Sequence, residues 1–401
     1  MPEHLPRSES GHATRLAHSA LQRARAVAGQ IASATDRIEQ QRELPADVLD
    51  AMHEAELFRL TLPEFLGGAQ IRPALLAQVT EAIAMADASA AWCLGQGSGC
   101  AMSAAFLAEP FARQVFGPRN AVLAWGAGAQ GRAVVVDGGY RVSGRWGFAS
   151  GGKHATWLGA HCKVYAADGS PRLGPDGKHL GRTALLPRAA ASIADDWYVM
   201  GLKGTRSEGY SVEDLFVEQG LTLDRDTPAE CRVDATLYRF TTTQVYAGCF
   251  SGVAMGIARA CLDQLVDLAR HKHPRGAPSP MRDSPVVQTR LAELEAQLGS
   301  ARAFQQQALD EAWIAVQAGG DLTMDHRARI RLATTYAINQ ATDVTEQVYR
   351  LAGATAIFES QPFERRFRDA HAVSQQVQGR FTNFETVGRH LLGLDVDTMF
   401  I

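Results

Sequence analysis

The sequence predicts an α+β protein, mainly helical, with an N-terminal helical domain over residues 1–120, a β-barrel-like antiparallel domain over 121–228 and a C-terminal four-helix bundle over 229–401. Two observations carry this reading. Apolar residues recur every three or four positions at both ends, and between them short alternating segments are punctuated by glycine turns. A length of 401 residues with 46% hydrophobic content is enough to bury a core in each part.

From about residue 13 to 118 the pattern is helical. Pro45 ahead of Val48, Leu49, Met52 and Leu57 opens one helix, because proline is tolerated where the first-turn N–H has no partner. Residues 74–86 and 89–107 supply two more, the second so rich in Gly, Ala and Ser that a cofactor or another helix must pack closely against it. Near Pro118 the character changes. Val134 to Val136, then Asp137, Gly138 and Gly139, then Tyr140 and Val142 alternating with polar residues, spell a hairpin with a glycine turn. Residues 157–165, 183–186 and 211–217 are further short strands. After about residue 240 long helices return: Ile330, Ala337, Ala341, Val344, Val348 and Leu351 form one stripe ending at Gly353, and Val287, Leu291, Leu294, Leu298 and Ala301 repeat the rhythm. Stripes of that length need partners throughout, which points to a bundle that can also provide a subunit interface, in a dimer or a tetramer.

The charge balance, 40 basic against 43 acidic residues for a net −3, gives no field for nucleic acid or an anionic membrane, so a small molecule is the expected partner. No run of about 18 apolar residues stands out as a membrane span. The six cysteines, 93, 100, 162, 231, 249 and 261, contain no CxxC pair and no zinc spacing, so no metal is expected and reduced thiols in a cytoplasm fit best. The first residues carry acids and histidines in place of a secretory signal. No GxGxxG stands between a strand and a helix; Gly126, Gly128 and Gly131 precede strands, so no site for NAD(P)H is visible and reducing equivalents should come from outside the chain.

Three segments complete the picture: residues 138–151 (GGYRVSGRWGFASG), residues 197–207 (WYVMGLKGTRS), and residues 365–376 (RRFRDAHAVSQQ) with 387–393 (VGRHLLG). With the order of domains they resemble the acyl-CoA dehydrogenase superfamily, more closely its two-component flavin-dependent monooxygenase branch, and the resemblance spans nearly the whole chain. It implies that reduced FMN, or alternatively FAD, binds between the β domain and the bundle and reacts with O2 to oxygenate a small substrate. The first segment is similar to the hairpin on which the flavin ring rests, the second to a loop carrying a hydroxyl pair, the third to the last bundle helices.

Cofactor-binding candidates implied by this resemblance are Trp125, Trp146, Phe148, Ala149, Ser150, Thr205 and Ser207, with Arg270, Arg275 and Arg282 as the source of charge-assisted bonds to the flavin phosphate. Ser150 is the first candidate donor to whatever forms when oxygen meets reduced flavin. Competing structural readings stand beside these: Trp146 and Phe148 as sheet core, the hydroxyls as turn-makers, the arginines as a solvated helix end.

The chain also departs from the pattern. Where dehydrogenases of the superfamily carry a carboxylate base, residues 376–380 (QVQGR) offer none, and Glu385 reads as an exposed helix residue. Phenol hydroxylases of the branch place histidines where Gln376 and the neighbourhood of Cys100 stand. Glutamine can only orient or hydrogen-bond, so the expected substrate needs no deprotonation: an indole-like heteroaromatic, or an amine or sulfur centre. His371 either compensates or is a structural histidine of the Arg368–Asp369 corner; Cys100 is either catalytic or a small buried residue. The rival functions are an acyl-CoA dehydrogenase or oxidase with tightly bound FAD, and a catalytically silent flavin-binding scaffold.

Overall fold

A computed structural model describes residues 8–174, 177–225, 227–397 and 401. The N-terminal part holds α1 (Ser8–Ser33), α2 (Thr35–Gln41), α3 (Ala46–Glu54), α4 (Pro73–Ala86), α5 (Ala88–Ala101) and α6 (Glu109–Phe116). Pro45 sits at the N-cap of α3 and Pro73 inside the first turn of α4, the positions proline tolerates. Asp87 caps α5, its carboxylate accepting from Ala90 N at 2.9 Å.

The middle part is an eight-stranded sheet: β1 (Leu123–Trp125), β2 (Gly131–Val136), β3 (Gly139–Trp146), β4 (Trp157–Tyr165), β5 (Gly181–Pro187), β6 (Ser192–Ile193), β7 (Tyr210–Glu218) and β8 (Thr222–Leu223). The β2–β3 hairpin turns at Asp137 and Gly138, where Gly138 has φ 72° and a side chain would be strained. The sheet is mixed, which corrects the antiparallel expectation: β4 pairs parallel to both β1 and β2. A parallel pair cannot be closed by a tight turn; β3 returns the chain after β2, and residues 147–156 then carry it from the end of β3 past β2 to the start of β4. The Phe148–Gly151 segment is therefore a crossover at the end of β3 opposite the hairpin turn.

The C-terminal part contains α7 (Thr242–His271), α8 (Pro285–Gln317), α9 (Met324–Ala352), α10 (Pro362–Ser374) and α11 (Thr382–Leu391). The α9 stripe is buried from Ile330 to Val348 and the helix ends at Gly353, φ 60°. Helix α7 is long and apolar enough to cross a membrane by length and composition, against the expectation of no such run; 89% of its apolar window is buried inside the protein. It lies at the centre, packed on α4, α5, α9 and α10.

Candidate active site

The crossover after β3 carries a non-glycine residue in the left-handed backbone region. Phe148 has φ 63°, a region costly for a bulky residue, and its ring is 70% exposed. Its neighbours over-determine the turn: Ala149 N donates to Glu208 O at 3.2 Å and Gly151 N to Thr205 O at 3.0 Å. Trp197 meets the Phe148 ring edge-on at 5.9 Å. Beside them the exposed loop 127–130 is tied down by Ala127 N donating to Gly147 O at 3.1 Å.

Behind Phe148 runs a buried chain of hydroxyls. The Trp92 indole N–H donates to Ser150 Oγ at 3.0 Å, Ser150 Oγ lies 2.7 Å from Ser207 Oγ, and Ser207 Oγ lies 2.7 Å from Thr205 Oγ1. Thr205 then donates to the carbonyl of Leu202 at 2.8 Å. The structure thus brings Ser150, Ser207 and Thr205 together, and adds Trp92, for which the sequence held no signature.

Trp92 begins an aromatic ladder. It stacks on Phe250 of α7 at 4.0 Å, and Phe250 stacks on Tyr246 at 5.3 Å. The Tyr246 hydroxyl lies 3.4 Å from Cys100 Sγ, which also receives Gln96 Nε2 at 3.6 Å. The glycines of α5 make room for these rings: a Cβ on Gly99 would stand 2.1 Å from the Tyr246 ring and one on Gly95 3.0 Å from Cys249. The close-packed face of α5 is thus filled by α7. Burial pushes the Cys100 thiol up to about 12, so it is a neutral packing residue and no nucleophile.

The remaining candidates go elsewhere. Trp146 is fully buried in the sheet, its N–H on the His161 carbonyl and its ring on Tyr210, so its face is closed to any cofactor. Trp125 lies under the Arg225 guanidinium and against His161, whose ring burial holds down to about 4. Gln376 lies beyond the end of α10, and its side chain accepts from Gln378 N at 2.7 Å. His371 packs at a tilt against Phe367, ring centres 4.3 Å apart, and its buried Nε2 has no partner, which corrects the expected structural role within the Arg368–Asp369 corner. Asp369 instead accepts from Leu202 N at 2.6 Å, which ties α10 to the 197–207 loop. Glu385 is exposed on α11.

Arg270, Arg275 and Arg282 are exposed. Arg270 follows Phe250 by twenty residues on α7, about 30 Å along the axis. The basic end of α7 therefore stands well away from the Ser150 chain of the same molecule. A cleft of about 790 Å³ is lined by Tyr198, Val199 and Lys203 of the 197–207 loop; Lys203 and Arg368 in its wall are both paired with Glu39.

The profile of the acyl-CoA dehydrogenase N-terminal domain matches residues 18–110 and that of the C-terminal domain residues 248–379. An indole-3-acetate monooxygenase of Pseudomonas putida is 32% identical over 356 residues, covering 88% of this chain and 89% of the relative. The chain belongs to the acyl-CoA dehydrogenase superfamily, in its flavin-dependent monooxygenase branch. The oxygenase subunit HsaA of Rhodococcus jostii is 29% identical over 88% of this chain and 92% of its own. The crystal structure of 3-HSA hydroxylase from Rhodococcus sp. RHA1 superposes with a TM-score of 0.87 at 25% identity, covering 96% of this chain and 99% of that one. This enzyme is accordingly an oxidoreductase, and the tight-FAD dehydrogenase alternative falls with its relatives and with the missing carboxylate base.

The residues present fit a flavin. A planar tricyclic ring needs an apolar surface and a few polar atoms at its edge, and the exposed Phe148 ring, the half-buried Trp197 against it, the open 127–130 backbone and the Ser150 hydroxyl offer that set around the end of β3.

Proposed function

We propose that this monooxygenase takes reduced FMN, with FAD as the alternative, from a separate reductase and uses O2 to oxygenate an indole-like aromatic. The observation that carries the flavin placement is the Trp92–Ser150–Ser207–Thr205 chain directly behind the exposed Phe148. Bound reduced flavin supplies the activation of oxygen; the protein's part is to hold the ring, exclude water and orient the substrate.

The two buried histidines near the chain, His154 and His161, are weak bases, which supports a substrate such as an indole that needs no deprotonation. Burial keeps the Cys100 thiol protonated, and holds His161 at about 4 and His154 at about 3, so both histidines are neutral at pH 7. Indole carbon is electron-rich without ionisation, whereas a phenol gains most from losing its proton. Relatives named for indole-3-acetate, from Pseudomonas putida at 32% and Acinetobacter baumannii at 29% identity, favour the same substrate class. A resorcinol hydroxylase oxygenase component from Rhizobium named as FADH2-dependent, 26% identical over 92% of this chain, supports reduced flavin and a two-component system.

The separation of the basic end of α7 from the Ser150 chain supports a homo-oligomer in which Arg270, Arg275 and Arg282 of one copy hold the flavin phosphate of another. The decisive experiment mixes the protein anaerobically with photoreduced FMN or FAD, adds O2 with indole-3-acetate, indole or a phenol, and reads oxygenated product by mass spectrometry. Oxygenated indole is expected. Hydrogen peroxide alone with every substrate overturns the reading and favours a silent flavin-binding scaffold.

A further inference from the structure

We propose that Trp92, Ser207 and Thr205 are positioning residues that fix the Ser150 hydroxyl as an acceptor only, so that the site selects reduced over oxidised flavin; this rests on the flavin reading above. The argument begins at the far end of the chain. The Leu202 carbonyl collects three donors: the Thr205 hydroxyl at 2.8 Å, Thr205 N at 3.2 Å and Trp197 Nε1 at 3.3 Å. A hydroxyl has one proton and two lone pairs. With the Thr205 proton committed to Leu202, its 2.7 Å contact with Ser207 must use the Ser207 proton. The 2.7 Å contact between Ser207 and Ser150 must then use the proton of Ser150.

At the near end the indole N–H of Trp92 can only donate, and it fills one lone pair of Ser150. Ser150 is left with a single lone pair and no proton to give. This reverses the role expected for it from sequence. Turning the Ser150 proton outward would set two buried oxygens lone pair to lone pair, unless the whole chain reversed and abandoned its Leu202 anchor. All three hydroxyl residues are buried, Ser150 the least so at 7% exposure, so water is poorly placed to supply a substitute proton.

Oxidised isoalloxazine carries mostly acceptors along its polar edge, whereas reduction adds an N–H donor. A hydroxyl that can only accept is attracted to the reduced ring and repelled by the lone pairs of the oxidised one. An enzyme that receives its flavin already reduced and must let the spent, oxidised ring leave has use for that preference.

The test is the ratio of dissociation constants for oxidised and reduced FMN, the reduced form measured anaerobically. The intact enzyme is expected to favour the reduced form. Ser207→Ala removes the acceptor of the Ser150 proton, frees it to point outward, and should lower the ratio by about tenfold, mainly through tighter binding of oxidised FMN. Ser207→Thr restores the hydroxyl and should restore the ratio, which a merely structural role would not require. Thr205→Val removes the anchor and should act like Ser207→Ala, so it carries the test where the alanine variant does not fold. An unchanged ratio in folded Ser207→Ala or Thr205→Val, or equal binding of both forms by the intact enzyme, overturns the proposal alone. Absence of binding in either redox state overturns the flavin reading beneath it.

Discussion

Trp92 of α5 and Ser150 of the β3–β4 crossover are 58 residues apart in sequence, yet the indole N–H of one lies 3.0 Å from the hydroxyl oxygen of the other, inside the protein. This bond joins the helical and β parts at the candidate site. Ser150→Ala leaves the Trp92 N–H buried without an acceptor and should cost about 1–3 kcal/mol of stability. Trp92→Phe keeps the stacking on Phe250 while dropping the donor, and should cost less, about 1 kcal/mol. Urea denaturation of the two variants checks the order; a larger loss for Trp92→Phe would contradict it.

Gly99 faces the Tyr246 ring with no room for a methyl group. Gly99→Ala should destabilise by about 1–3 kcal/mol through overpacking, despite the better helix propensity of alanine. Adding Tyr246→Leu should recover part of the loss, and a thermal melt of the single and double variants measures the coupling.

Burial raises the Asp369 carboxyl to about 7, with Leu202 N as its hydrogen-bond donor and Asp87 and Glu39 adding repulsion. A raised carboxyl binds its proton more tightly folded than unfolded, so its contribution is full below the unfolded value near 4 and is lost as pH rises toward 7. Asp87, raised to about 6 by burial, acts in the same direction over a narrower window. Asp369→Asn keeps an acceptor for Leu202 N and cannot ionise. Stability measured from pH 4 to 7 should fall less steeply for this variant than for the parent, by up to about 1.4 kcal/mol per pH unit.

If each flavin is shared between copies, Arg275→Ala and Ser150→Ala damage different halves of one composite site. Each variant alone should turn over poorly, while co-expression should regenerate some intact sites and recover about a quarter of the parental rate for a pairwise arrangement. Recovery no greater than the mean of the two variants would place both residues in one copy's site.

The helical parts were legible because their signal is local: the stripe from Ile330 to Val348 and the stop at Gly353 need no knowledge of the partner. The β2–β3 hairpin was legible for the same reason, through Asp137 and Gly138. The parallel pairing of β4 was not, since its register with β1 and β2 depends on a crossover whose course no short pattern encodes. Ser150, Thr205 and Ser207 were found through resemblance; Trp92, Phe250 and Tyr246 were missed because each sits in a run of small buried residues that reads only as core. Trp146 shows the converse, an aromatic beside the site whose ring the sheet encloses.

Leu202 gives its N–H to Asp369 of the bundle and its carbonyl to the Thr205 hydroxyl. A shift of α10 by a fraction of an ångström would thus tug on a string of three side chains, Thr205, Ser207 and Ser150. Changes made on the outside of that helix, where Arg368 grips Glu364 and Glu39, should consequently be felt at the Ser150 hydroxyl.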